Sequence, residues 1–278
     1  MRYRGPGRRP VGARLPVLMY HSVSELPTGP LRTLAVPPRR LAEQLGTLVG
    51  AGYRLVGLTE ALDLLDAADE VPPVVAVTFD DGYANFLTEA VPLLAEADAS
   101  VTLYPAVGHL GNGPAAWLGR WATAFGPLLT WPQLREVAAA GRIEIGNHGL
   151  RHHPLDVLPA RLLADEIAVS RDRLEQELGT GTRSFCYPHG YHDRQVRTLV
   201  RRAGYQNACE VGRRSYRPTA DDRLAVPRLQ PTPDHSGADL LALVRGGGPR
   251  LVPQAKRLAQ PAWRITRRVA RRYGRQLT

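Results

Sequence analysis

Two cysteines and 6% aromatic residues are a small allowance for 278 residues. Cys186 and Cys209 can build neither a disulfide framework nor a zinc ribbon, and each lies in an apolar, strand-like run, so both read as small buried residues. No apolar stretch is long enough to cross a bilayer. Residues 1–16 are rich in Arg, Gly and Pro and lack the apolar core of a secretory signal, so a cytoplasmic protein is the default expectation. Acids are missing from both ends. Arg2, Arg4, Arg8, Arg9 and Arg14 open the chain uncompensated, and every charged residue after Asp239 is a cation. The net charge of +10 therefore belongs to the termini, and the body between them is net acidic. No recognised nucleic-acid motif accompanies the basic ends, and no nucleic-acid partner is expected.

The length suits one large domain. The expected division is a basic, disordered stretch over 1–14, a barrel-sized domain over 15–245, and a linker with a basic helix over 246–278. Gly246-Gly247-Gly248-Pro249 is a linker-like break. Beyond it, Trp263, Val269, Ala270 and Tyr273 form an apolar stripe among arginines. That pattern suits an amphipathic helix peripheral to an anionic membrane, and equally a solvated helix or an unstructured tail.

Between the ends, apolar runs alternate with helical periodicities. Strand-like runs occur at 15–22, 52–56, 74–81, 99–106, 143–148, 184–187, 205–210 and 225–229. Helical spacing occupies 38–49, 59–65 with Thr59 as its cap, 83–96, 131–140 behind Thr130, 158–178 and 193–203. This alternation predicts an α/β protein built on a parallel barrel or wound sheet, in which functional residues gather at the carboxyl ends of strands.

Two strand ends carry chemistry. Val74-Val75-Ala76-Val77-Thr78-Phe79 runs into Asp80-Asp81-Gly82-Tyr83, placing two carboxylates at the rim of a core. Taken alone, the pair could be a turn with a local Asp cap. Like charges that close raise each other's pKa unless a cation or donor intervenes. Ile143-Glu144-Ile145-Gly146-Asn147 then runs into His148 and, four residues on, His152, a spacing that sets two imidazoles on one side of a helical turn. A carboxylate plus two imidazoles is a three-ligand set that leaves positions open, as catalytic metal sites do.

With the stretch Arg183-x-Phe185-Cys186-Tyr187-Pro188-His189-Gly190, these motifs resemble the three ordered motifs of the polysaccharide deacetylases (NodB-homology, carbohydrate esterase family four). The resemblance covers roughly 15–235. It implies a distorted barrel of about seven strands, one divalent metal (usually zinc, with cobalt or nickel as alternatives), and removal of acetyl groups, most often N-acetyl on a hexosamine of a glycan or sugar conjugate. An amidase on a small acetamide or formamide, or a non-catalytic glycan- or membrane-binding module, are the rival readings. By that resemblance Asp80 would be the base, and Asp81, His148 and His152 the metal ligands. The turn at Tyr187, Pro188 and His189 would line the substrate, with the His189 N–H as oxyanion donor.

Three departures are visible. The family's late Leu-x-His is missing, His235 being a poor substitute in a Pro/Asp-rich loop, and His21 in Met19-Tyr20-His21 resembles the early histidine of a subgroup in which it serves as acid. Cys186 stands where many members carry an arginine that orients the base, so either another group, such as Arg183 or Arg151, holds Asp80 or Asp80 is tuned differently. His153 follows the second ligand where a proline is usual, and is expected at the surface. Among the tryptophans near this loop, Trp131 is the expected wall of the cleft, since aromatic faces stack on sugars.

Overall fold

The computed structural model describes residues 14–27, 29–67 and 73–248, together with Trp263 and Thr266. The expected basic N-terminus and, those two residues apart, the expected C-terminal helix lie outside the described residues.

Eight short strands make the frame: β1 (Val17–Tyr20), β2 (Arg54–Val56), β3 (Val74–Asp81), β4 (Val101–Pro105), β5 (Ile143–Ile145), β6 (Ser184–Cys186), β7 (Asn207–Glu210) and β8 (Val226–Pro227). Every pairing among them is parallel. β3 pairs with β1, β2 and β4, and β4 pairs with β5. β7 pairs with β6 and β8. Two parallel bridges, Leu18 with Leu229 and Asn147 with Phe185, join these ladders, so seven strands follow one another around a ring in chain order while β2 lies beside β3. This is the distorted barrel the motifs implied.

β3 is buried along its whole length because parallel strands are covered on both faces. Val75, Val77 and Phe79 pack outward with Leu41, Leu45 and Leu48 of α1 (Pro38–Gly50) and Leu94 of α3 (Val91–Glu96). Ala76 instead packs with Val17, Val56, Tyr104, Cys186, Cys209 and Val226, about one residue from each strand, which fills the barrel as a layer. Both cysteines belong to that layer and are free.

Around the barrel run α2 (Leu58–Ala67), α4 (Trp131–Ala139), α5, a helical run over 160–178 interrupted by a π-turn at Asp165–Val169, α6 (Arg194–Arg202) and α7 (Gly237–Gly246). Thr130 caps α4 through a reciprocal box with Gln133, as its sequence suggests. Thr59 does not cap α2. It lies inside the helix, and its hydroxyl bonds the half-buried Glu144 of β5, which gathers donors from Thr59 and Thr102. The loop after β1 is folded back by a parallel pairing of Ser22–Val23 with Ala35–Val36 and tied to Asn85, which fixes the approach to His21.

The connection from β7 to β8 is pinned by Asp221. It accepts both guanidinium nitrogens of Arg214 at 2.5 and 2.9 Å, and the backbone N–H and side chain of Arg217. Burial would raise the Asp221 pKa, but these donors outweigh it and hold the carboxyl at about 2. A depressed carboxylate pKa stabilises the fold above the unfolded value near 4 and is lost as pH falls toward 2. Asp221→Asn should therefore cost about 2 kcal/mol at pH 7 in urea unfolding, and the gap to wild type should be roughly halved by pH 3. An undiminished gap at pH 3 would show that charge is not what pins this connection.

Candidate active site

Asp80 ends β3 inside the barrel mouth. Both its oxygens are held by Arg228, at 2.7 Å from Nη1 to Oδ1 and 2.7 Å from Nη2 to Oδ2. Arg228 follows β8 directly and is fully buried. Its remaining donors are used on the Thr78 hydroxyl at 3.0 Å, the Glu210 carbonyl at 3.2 Å and the Cys186 sulfur at 3.2 Å. A buried guanidinium is tolerable only when its fork is satisfied in this way. Burial would raise the Asp80 pKa. The charge and hydrogen bonds of Arg228, with His148 and His21 nearby, outweigh burial and hold Asp80 below its ordinary value.

The orienting arginine is therefore neither of those expected. Arg183 bonds Asp63 and Gln206, and Arg151 faces Glu166, both with half-exposed side chains. Their short sequence distance from the motifs misleads, because the ring closes β8 against β1 at Leu229 and Leu18, and from there the Arg228 side chain reaches Asp80 of β3. One signal pointed to Arg228: it is the single charge in the apolar run 225–229.

Asp81 has φ 72, a left-handed conformation that re-aims a side chain which strand alternation would send to the opposite face from Asp80. Its Oδ1 lies 3.2 Å from Nε2 of His152 and 3.5 Å from Nε2 of His148. The two imidazoles do not converge by sharing a helical turn, as their spacing suggests. They sit on an irregular loop that bends at Gly149 (φ 77) and His152 (φ 57). Gly146 precedes that loop because a β-carbon there would lie 2.3 Å from the Tyr104 ring.

The donor atoms of Asp81, His148 and His152 lie within 4.8 Å of one another, and all three residues are buried. His148 Nδ1 sits 2.9 Å from the Cys186 carbonyl, which can only accept, so Nδ1 carries the proton. The Nε2 lone pair of a neutral ring then faces a carboxylate oxygen. Two electron-rich atoms so placed call for a shared cation, and three such donors fit a divalent metal. Without one, burial would lower the His148 pKa, but the Asp81 hydrogen bond and the Asp80 charge raise it. Burial wins at His152 and lowers its pKa. Asp80, His148 and Cys186 are equally close together, but Arg228 bonds both Asp80 and Cys186 and leaves no place there for a second cation.

At the rim, His21 Nε2 is 4.0 Å from Asp80 Oδ2, and burial, opposed by Asp81 and Asp80, lowers its pKa. His189 has φ 58, and its ring packs edge-on to His152 with centroids 4.5 Å apart. Pro188 is buried beneath that turn, and the Tyr187 hydroxyl is spent on the Leu224 carbonyl, which makes Tyr187 a support for the turn. The aromatic face beside the ligands is Trp117, stacked on His152 at 4.3 Å with His109 against its other edge. Trp131 packs instead against the core and under Arg173, because its place at the start of α4 faces the helical run 160–178. Trp263 donates its indole N–H to the Tyr191 hydroxyl at 2.9 Å, two residues beyond His189.

A family model described as polysaccharide deacetylase matches residues 67–208, a span that holds Asp80, Asp81, His148, His152 and His189 but neither His21 nor Arg228. The Bacillus subtilis protein YxkH, whose name places it with the polysaccharide deacetylases, is 28% identical over 70% of this chain and 63% of its own. The poly-beta-1,6-N-acetyl-D-glucosamine N-deacetylase of Escherichia coli K12 is 30% identical over 44% of this chain and 19% of its own. The chain thus spans less than two thirds of either curated relative. The structure of IcaB from Ammonifex degensii superposes with a TM-score of 0.70 at 29% identity, over 84% of this chain and 98% of that one.

Removing one partner of a buried pair strands the other charge. Arg228→Met should lower the unfolding free energy by about 3–5 kcal/mol in urea titrations, with part of that loss recovered in the Asp80→Asn/Arg228→Met double variant. A single variant within 1 kcal/mol of wild type would mean that water reaches Asp80 and that the pair is not a buried clamp.

Proposed function

Because this chain belongs to the polysaccharide deacetylase family, we propose that it hydrolyses N-acetyl groups on hexosamine units of a glycan or sugar conjugate, with Asp80 as base and Asp81, His148 and His152 holding one divalent metal. The observation that carries this reading is the separation of two adjacent carboxylates into different environments, Asp80 under a guanidinium and Asp81 against two imidazoles. Neighbouring titratable groups pushed apart in this way mark distinct chemical roles. When bound, the metal supplies Lewis acidity toward the acetyl carbonyl and acidifies water beside it, and zinc best suits two imidazoles and a carboxylate, with cobalt or nickel as substitutes.

The chain's own residues do the rest. Asp80, kept ionised by Arg228, accepts a proton from the water that attacks the acetyl carbon. Arg228 fixes both carboxylate oxygens, so the base cannot rotate away. The oxygen of the acetyl group gains negative charge as the carbon becomes tetrahedral, and the His189 N–H in the turn after Pro188 serves as its donor. His21, with its Nε2 4.0 Å from Asp80 Oδ2, takes over the proton that Asp80 gained from the water and delivers it to the nitrogen as the C–N bond breaks, leaving acetate and a free amine. Trp117 offers a flat face for the sugar ring beside these groups. The N-acetylglucosamine polymer in the name of the Escherichia coli relative favours that sugar.

The test is acetate release from N-acetylglucosamine oligomers by zinc- or cobalt-loaded protein. Asp80→Asn should lower kcat about a hundred- to ten-thousandfold while metal stays bound. His21→Gln should lose N-acetyl hydrolysis to a similar degree yet keep p-nitrophenyl acetate hydrolysis, because nitrophenolate leaves without a proton. Equal loss on both substrates would remove His21 from the acid role. Turnover of sugar-free acetamides would favour a small-molecule amidase, and glycan binding without acetate release a non-catalytic module.

A further inference from the structure

Both imidazole ligands ride on a loop with no regular secondary structure, so its own hydrogen bonds cannot set the distance between their rings. A different element does. Glu166 is completely buried, and it lies in the π-turn that interrupts the helical run 160–178. Its Oε2 accepts the backbone N–H of Leu150 at 2.9 Å and of Arg151 at 2.8 Å, two of the three residues between His148 and His152. The third is Gly149, whose φ of 77 turns the chain so closely past the carboxylate that a β-carbon would lie 3.1 Å from Oε2. Beside Oε1 stand the Arg151 guanidinium at 3.6 Å and His153 Nδ1 at 3.3 Å. His153 is thus drawn in from its expected surface position by the same buried charge.

One turn further along, Ser170 completes the hold. Its hydroxyl bonds the Glu166 carbonyl at 2.6 Å and receives the Asn147 amide at 2.8 Å, while Asn147 Oδ1 accepts the Gly149 N–H at 2.7 Å. The loop is therefore gripped immediately before the first ligand and again before the second. π-Turns recur at functional sites, and here the turn presents Glu166 directly and, through the Glu166 carbonyl, anchors Ser170. We infer that Glu166 is a positioning residue for the candidate metal site, clamping the loop between His148 and His152 so that both rings meet Asp81. A buried carboxylate costs several kcal/mol unless donors meet it, and the backbone hydrogen bonds this one accepts come from Leu150 and Arg151, with the Arg151 guanidinium and the His153 ring beside its other oxygen. The inference rests on the metal reading of Asp81, His148 and His152.

The test uses the full chain and the metal alone. Zn²⁺ and Co²⁺ affinities are measured by competition with a chromophoric chelator, together with the Co²⁺ d–d spectrum and the Tm of the metal-free protein. Glu166→Ala and Glu166→Asp should weaken metal binding about ten- to a hundredfold and shift the Co²⁺ bands, as loss of an outer-shell support does. Glu166→Gln, whose amide oxygen can still accept from Leu150 and Arg151, should restore most of the affinity and the wild-type spectrum. Ile167→Val, in the same turn but facing the core, should lower Tm without moving either metal readout. Alanine and aspartate variants that match wild type in affinity and spectrum would overturn the inference, and the aspartate variant decides if the alanine variant does not fold. Wild-type protein that binds no more tightly than His152→Ala would instead overturn the metal reading, and this inference with it.

Discussion

The Asp80–Arg228 pair is the interaction on which the mouth of this barrel depends. Two charges with no solvent exposure to speak of are viable only because each satisfies the other through two 2.7 Å bonds and because Thr78, Glu210 and Cys186 take up the remaining donors. The pair spans the ring. Asp80 comes from the third strand and Arg228 from the last, so it fastens the start of the fold to its end just where the Leu18–Leu229 bridge joins the ladders. Asp221, with Arg214 and Arg217, pins the loop that leads into β8 and Arg228.

Given that pair, the neighbouring carboxylate must find its own partners. Asp81 cannot share Arg228, whose fork is full, and the left-handed turn at its backbone swings it toward the histidines. Of the five non-glycine residues described with positive φ, three are Asp81, His152 and His189, all at this site. Each such residue costs of order 1–3 kcal/mol, and such strain persists only where the surroundings over-determine it. The buried barrel layer below and the π-turn clamp beside it are those surroundings. Stability held in the rigid frame is thereby exchanged for a fixed geometry at the mouth.

Much of this was legible in the chain. Parallel strands buried on both faces leave long apolar runs, so β3 and the strand-to-helix alternation could be read directly, and with them the rule that function gathers at strand ends. Asp80, Asp81, His148, His152 and His189 come together as their motifs implied, while the assignment of their roles belongs to the proposed function. What could not be read is whatever depends on closing the ring. Arg228 lies 148 residues from Asp80 in sequence, and its one local signal, a lone charge in an apolar run, does not say which carboxylate it meets. Trp117 and Trp131 are likewise equivalent by composition, and only the start of α4 decides that Trp131 turns away. The His-x-x-x-His spacing suggested a helical turn and is met by a bent loop, because the spacing limits how far apart two rings can be without specifying the path between them.

Cys186 and Arg228 are best understood together. The motif resemblance leads to the expectation of an arginine at position 186, and a cysteine there looks at first like a missing part. Yet both oxygens of Asp80 are already engaged by Arg228, so a second guanidinium at 186 would bury a cation with no carboxylate left to meet it, a cost of several kcal/mol. A thiol is small and uncharged. It fills the barrel layer beside Cys209 and still offers its sulfur to Nη2 of Arg228 at 3.2 Å. Burial raises the Cys186 pKa well above its ordinary value, so the thiol stays neutral and adds no charge to a mouth that already balances two carboxylates against one guanidinium and a candidate metal. The apparent gap in the motif is therefore the condition under which an arginine from the end of the barrel can hold Asp80.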